Sequence, residues 1–405
     1  GAEENWHQQV VPRRKKARRA RRLLNQGASK RSAPLDVVVL VLDSVARARF
    51  LSDLPLSTRL LQKANRTAAS EVFNFPFAHA LPCCTKNWLY AALSGAYSPA
   101  RDGAYEPARR KQASWLWDAF SAAGYVTHVA NDGCYPPELQ DWWRKEEQPL
   151  QPGISDHPLL DTFCKRAPTT GPKGEAFFQS RWSGVQHATK LDEGSSICVA
   201  GETLAHRWLS FALAFLRTPA YEPLPKFSLT ALNGVRCKCL SGGSHLDLEL
   251  QWFLSRLLSS RPSRTALLLL SDHGALDSFN ELPADLHLPL VSLVLPRAFL
   301  RQHPQAAAHI RRNQRRLVTP FDVHATLRHL LALARGSGVV APRVDAQLWS
   351  SFRDAFEANS KSSPLPYAPV PRVGPLGLSL MADMGAERDC AAAGLPQRHC
   401  RLSWE

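Results

Sequence analysis

The chain has 405 residues, 44% of them hydrophobic, which is enough for one large α/β domain or two ordinary ones. No apolar run approaches the roughly 18–20 residues needed to cross a bilayer, so a spanning helix within these residues is excluded. The formal net charge of +15 suggests a polyanion partner, yet eight basic residues with no acid lie in "PRRKKARRARR" alone, residues 12–22. The rest of the chain has no aromatic-interleaved basic surface or reading module, so nucleic acid is not the expected partner.

In chain order, residues 1–34 are expected to form a basic, disordered arm, because the charged run lacks apolar periodicity. An anionic surface is the partner such an arm would meet. "LDVVVLVLD", residues 35–43, is a continuous β-branched run and predicts a strand buried on both faces of a parallel sheet. "ASWLWDAFSAAGYVTHVAND", residues 113–132, predicts a helix ended by Gly124 and then a strand. Residues 133–225 are rich in Pro, Gly and Trp, with few clear periods, and are expected to be a loop-rich insertion. An amphipathic helix follows over 247–258, its stripe made of Leu250, Phe253, Leu254, Leu257 and Leu258. Then come a strand ending in "LLLLSDHG", another over 288–296, and a helix over 322–334. Strands alternating with helices predict an α/β sandwich with a mostly parallel sheet, spanning residues 35–335. Residues 336–405, rich in Pro and Gly, are expected to wrap the domain as a tail.

In an open parallel sheet, chemistry gathers beyond the carboxyl ends of the strands. Two buried-type strands end in acids there: one delivers Asp43, the other Asp272 with His273. Carboxylate plus imidazole is the donor mix of zinc and similar divalent ions. The alternative for each acid is a helix N-cap. In the tail, Cys390 and Cys400 bracket "AAAGLPQRH", a segment too polar to build a core; a disulfide there fits an oxidising compartment.

The order of "LDS", "TKNWLYAALSGAYSP" and "LLLLSDHG" resembles the alkaline phosphatase superfamily of phosphatases, phosphodiesterases, phosphoethanolamine transferases and sulfatases. The likeness is closest to a sulfatase-like family of extracellular proteins, domain of unknown function 229, and extends to "SWLWDAFSAAGYVT", "ICVAGE", "LVTPFDVHATLRHLL" and "CAAAGLPQRHC". The resemblance implies an alkaline-phosphatase-like three-layer sandwich, with helices on both faces of the sheet. It implies that Asp43, Asp272 and His273 ligate a divalent metal, zinc by the donor set, together with the nucleophile Thr85. It also implies that Asn87 holds a substrate oxygen. A Thr, where sulfatases of that superfamily need a Cys or Ser, points to phosphomonoesters or phosphodiesters, as small molecules or linked to glycan or lipid.

The second metal of that superfamily lacks its Asp-x-x-x-His source here. Only Asp247, His245 and His324 remain as candidates. Asp247 has a helix cap as its alternative, and His324 a packed core position. Two functions therefore stand side by side, a metal-dependent phosphoester hydrolase or transferase and a non-catalytic binding protein on the same fold. The resemblance and the cysteines place the protein outside the cell or in the secretory lumen, with room ahead of Gly1 for a leader or membrane anchor.

Overall fold

The structure, a computed structural model, describes residues 9–27, 35–81, 85–95, 115–131, 155–159, 198–199, 202–232, 244–274, 286–335, 377–386, 388–390, 393, 395 and 400. The first half contains helix α1 (Arg14–Gly27), strand β1 (Asp36–Leu42), helices α2 (Arg47–Asp53) and α3 (Pro55–Asn65), strand β2 (Ser70–Asn74) and helix α4 (Thr85–Ser94). Helix α5 (Leu116–Ala122) and strands β3 (Val126–Asn131) and β4 (His157–Leu159) follow, then the short β5 (Cys198–Val199) and β6 (Glu202–Thr203). The second half contains α6 (Leu204–Leu216), β7 (Lys226–Leu232), α7 (Ser244–Ser260), β8 (Thr265–Ser271) and β9 (Val291–Pro296). It closes with α8 (Arg297–Gln302), α9 (Pro304–Asn313) and α10 (Pro320–Ala334).

One seven-stranded sheet runs in the order β2-β9-β8-β1-β7-β3-β4. Strand β1 pairs in parallel with β7 and β8, and β3 in parallel with β7 and β4; within this sheet the pairs made by β9 are antiparallel, and β5 and β6 form a separate antiparallel pair. All seven residues of β1 and of β8 are buried, as a strand covered on both faces requires. Their side chains alternate with the period of two that a strand imposes. Val37, Val39 and Val41 pack with Leu268 and Leu270 under α4, α5, α9 and α10, while Val38, Leu40 and Leu42 pack with Leu267 and Leu269 under α3, α6 and α7. This is the three-layer α/β sandwich expected of the sequence. The stripe on α7 is buried at Leu250, Phe253, Leu254 and Leu257.

Two stretches differ from expectation. The basic segment expected to be disordered is helix α1, with Ala20 buried against the fold. It is held by a bond from the Arg13 backbone N–H to the Tyr221 hydroxyl (2.6 Å) and by a Lys16–Asp156 ion pair (3.1 Å). Gly124, with φ +88°, lets the backbone approach Ala20 and Leu24; a Cβ there would meet both. Small residues at one spacing thus provide the docking face that charge alone conceals. The second difference is α6, a regular helix inside the stretch expected to be loop-rich; Trp208, Leu209, Ala212, Phe215 and Leu216 make its buried face, and Thr203 caps it.

Three of the buried histidines are held neutral by their burial. His128 accepts or donates to Ser228 Oγ (2.9 Å) between Phe211 and Phe215, and burial pushes its ring down to about 3. Burial takes His157 down to about 4 and His324 to about 3. Each ring is neutral in the folded chain, whereas in the unfolded chain it titrates near the ordinary 6.5. As pH falls below that value the unfolded state binds protons first, so stability is present above it and lost towards pH 4. Three such protons give a slope of up to about 4 kcal/mol per pH unit. Urea unfolding between pH 7.5 and 4.5 checks this, and a flat profile contradicts it.

Candidate metal centre

The register of the sheet builds the site. Leu42 of β1 lies opposite Ser271 of β8, so Asp43 and Asp272 emerge together one residue beyond the carboxyl edge. The Asp43 N–H still bonds the Leu232 carbonyl of β7 (3.0 Å), which holds the end of β1 in place. The chain then turns at Ser44, whose φ of +62° is the left-handed region that non-glycine residues seldom adopt. That turn aims the Ser44 N–H at Asp272 Oδ1 (2.8 Å) and its hydroxyl at Asp43 Oδ1 (2.6 Å). Ser271 braces the other strand: its hydroxyl donates to the His273 carbonyl (2.9 Å) and accepts from the Val45 N–H (3.1 Å).

One donor atom from each of Asp43, Asp272 and His273 lies within 4.8 Å of the others, and all three residues are buried. The hydrogen bonds define which atoms are left for a ligand. Asp272 Oδ1 accepts from two backbone N–H groups, those of Ser44 and His273. Asp272 Oδ2 is buried with no hydrogen-bond partner. His273 Nδ1 is 2.6 Å from the Gly274 carbonyl, so Nδ1 carries the proton and Nε2 presents its lone pair. Nε2 stands 3.2 Å from Asp272 Oδ2. A buried carboxylate oxygen with no hydrogen-bond partner, 3.2 Å from an imidazole lone pair, is costly unless a cation sits between them. The residues fit a divalent ion with carboxylate and imidazole ligands.

Thr85 is the first residue of α4, and its Oγ1 lies 3.3 Å from His273 Nε2. A helix N-terminus beside a cluster of ligands offers free N–H groups and a partial positive charge to an anionic group. The far end of α4 is anchored separately. Gly95 (φ +72°) closes the helix so tightly against the His324 ring that a Cβ would come within 2.8 Å of it.

Asp247 and His324 do not join this group. Asp247, carried by the first turn of α7, accepts from the backbone N–H groups of Leu56 (2.7 Å) and Ser57 (2.8 Å) and so caps α3. It corrects both the metal assignment and the expectation that Asp247 caps its own helix. Asp247→Ala is expected to cost about 1–2 kcal/mol, since buried Ser57 loses the acceptor of its N–H; Asp247→Asn should recover part of it in chemical denaturation. His324 is likewise corrected. It bonds the Ala92 carbonyl and abuts Gly95, roughly 10 Å along α4 from Thr85 at 1.5 Å per residue, as a packed core histidine. The side chains of Asn87 and His245 lie outside the described residues, as do Cys83, Cys84, Cys237 and Cys239.

In the tail, Cys390 and Cys400 form a disulfide with Cα atoms 5.9 Å apart, as expected. Cys390 packs with Leu81, Ala91, Leu317 and Phe321. Reduction is expected to cost about 2–3 kcal/mol for a loop of this length. Non-reducing mass mapping that finds both thiols free would contradict the bridge.

Fold and site together define a three-layer α/β protein with a candidate metal centre at the carboxyl edge of its sheet. A family model described as "Protein of unknown function (DUF229)" matches residues 177–403, more than half of the chain, and the chain belongs to that family. The match takes in Asp272 and His273 but not Asp43 or Thr85. No curated protein matches the chain. Among solved structures, the C-terminal periplasmic domain of EcEptC from Escherichia coli in complex with Zn is 12% identical, covering 75% of this chain and 84% of that one, with a TM-score of 0.48. A protein in the alkaline phosphatase superfamily from Vibrio parahaemolyticus is 13% identical, covering 78% and 74%, with a TM-score of 0.46. The putative sulfatase yidJ from Bacteroides fragilis is 13% identical over 76% of each chain, with a TM-score of 0.44. Likenesses of this size carry no activity from one chain to another.

Proposed function

We propose that the protein is a metal-dependent hydrolase or transferase of phosphomonoesters or phosphodiesters, with Thr85 as nucleophile. The observation that carries this is the meeting of Asp43, Asp272 and His273 with the Thr85 hydroxyl 3.3 Å from His273 Nε2. A divalent ion held by Asp43, Asp272 and His273, zinc by the chemistry of these donors, would supply a Lewis acid that lowers the pKa of a neighbouring hydroxyl. Thr85 presents that hydroxyl, Ser44 holds both carboxylates in register, and His273 is held in one tautomer by Gly274. The N–H groups opening α4 suit the charge of a phosphoryl group.

The second reading is a binding protein that has lost turnover. It is favoured by the engagement of Asp247 and His324 elsewhere, which leaves one ion's ligands among the described residues. Assays on generic phosphomonoesters and phosphodiesters with added Zn²⁺ or Mn²⁺ separate the two. Turnover abolished by chelation supports the enzyme; a metal-loaded chain with no turnover supports the binding protein.

An extracellular or lumenal location is part of the same proposal and is supported by the Cys390–Cys400 disulfide. Among the described residues no helix is long and apolar enough to cross a membrane. The exposed side chains Arg14, Lys15, Arg18, Arg19, Arg21 and Arg22 of α1 would meet an anionic surface, with α1 docked instead of free.

A further inference from the structure

A cavity of mixed polar and apolar lining lies at the same edge of the sheet, on the opposite side of β8 from β1. It is about 110 Å³, between α2, α3 and the ends of β2 and β9, and Arg47, Thr58, Gln62, Asn65, Asn74 and Ser292 supply its polar lining. A single water needs roughly 10–15 Å³ on this scale, so the space admits a group of several heavy atoms. Its register is fixed by Ser292, which pairs with Leu269 of β8 and with Asn74 of β2.

The charge balance of this cavity is one-sided. Arg47 is its only ionisable lining residue, and no carboxylate faces it. No ion pair joins Arg47 to a described acid, and burial lowers the pKa of its guanidinium. Several of the other polar atoms are already committed, and most of those are acceptors. Asn65 Oδ1 accepts from the Val72 N–H (2.8 Å), and Asn74 Oδ1 accepts from the Ser292 hydroxyl (2.7 Å). The Thr58 hydroxyl proton goes to the Phe50 carbonyl (3.4 Å). The guanidinium of Arg47 and the side-chain N–H groups of Asn65 and Asn74 remain as donors, and the Gln62 amide and the hydroxyl lone pairs beside them are neutral, so the one charge presented to the cavity is positive.

We infer that this cavity is an oxyanion site, in which Arg47 with the amide N–H groups of Asn65 and Asn74 binds a carboxylate or a tetrahedral phosphate or sulfate group. A guanidinium fork matches such a group in a bidentate manner, and a half-buried site strengthens the pairing. The site is separate from Asp43, Asp272 and His273, and its occupancy needs no metal.

Calorimetric titration of the full chain in EDTA with inorganic phosphate, sulfate and acetate tests it. Saturable binding of at least one of these is expected in the parent and in Asp272→Asn. Arg47→Met is expected to weaken it at least ten-fold without moving the melting temperature. Arg47→Gln, which is shorter and uncharged but keeps a hydrogen-bonding end, provides the same loss if the methionine variant does not fold. Absence of saturable heat in the parent overturns the assignment, as does binding indifferent to Arg47. Binding lost in Asp272→Asn also overturns it, because the anion would then sit at the metal centre; the metal-dependent activity could stand or fall independently.

Discussion

Replacing Thr85 by alanine is expected to lower phosphoester turnover by at least about 10³-fold while leaving the fold intact. The Thr85 hydroxyl lies 3.3 Å from His273 Nε2, so its removal takes away the proposed nucleophile and little packing. Thr85→Ser keeps the hydroxyl, loses one methyl group and should retain a measurable fraction of the rate. A purely capping Thr85 behaves differently: Asn and Asp would then replace it well, and alanine would cost about 0.5–2 kcal/mol in stability with no selective loss of rate. Rates and melting curves measured on the same four variants separate the two roles. Full turnover in Thr85→Ala would remove Thr85 from the reaction.

The largest expected loss of stability lies far from the metal centre. The side chains of Arg388 and Asp322 are only 3% and 0% exposed, and Arg388 reaches Asp322 Oδ2 at 2.7 Å. The same oxygen accepts from the Thr319 N–H, one of the two bonds of the capping box that opens α10, and from the Thr319 hydroxyl, while Oδ1 accepts from the Leu378 N–H. One carboxylate thus joins the start of α10 to two separate points of the C-terminal tail. Arg388→Met removes the cation bonded to this buried carboxylate and is expected to destabilise the chain by about 3–5 kcal/mol, read from urea denaturation. A loss under about 1 kcal/mol would mean that Asp322 is satisfied by its backbone donors alone.

Much of the sheet was legible because burial on both faces leaves a plain record. The runs "DVVVLVL" and "TALLLLS" contain no polar interruption, and each became a strand with every residue buried. Asp43 and Asp272 were legible for a related reason: an acid directly after such a run has to leave the sheet at its carboxyl edge. Their meeting, however, depends on β1 lying beside β8, a neighbour relation between segments over two hundred residues apart that no local pattern encodes. The same limit hid the cap that Asp247 provides, since α3 and α7 are distant in sequence. It also hid the docking of α1, where a charged periodicity masked Ala20 and its glycine partner at 124. Ser44 follows Asp43 directly in the sequence, but its left-handed turn and its bonds to two carboxylates are properties of the folded backbone.

The central claim is that Asp43, Asp272 and His273 form a cation site. Elemental analysis after exhaustive dialysis against a low level of Zn²⁺, with parent and Asp272→Asn run side by side, tests it most directly. The parent is expected to retain at least one equivalent per chain. The variant, whose amide puts a donor where the orphaned Oδ2 offers a lone pair, is expected to retain almost none. A parent free of metal, or equal metal in both proteins, would contradict the claim.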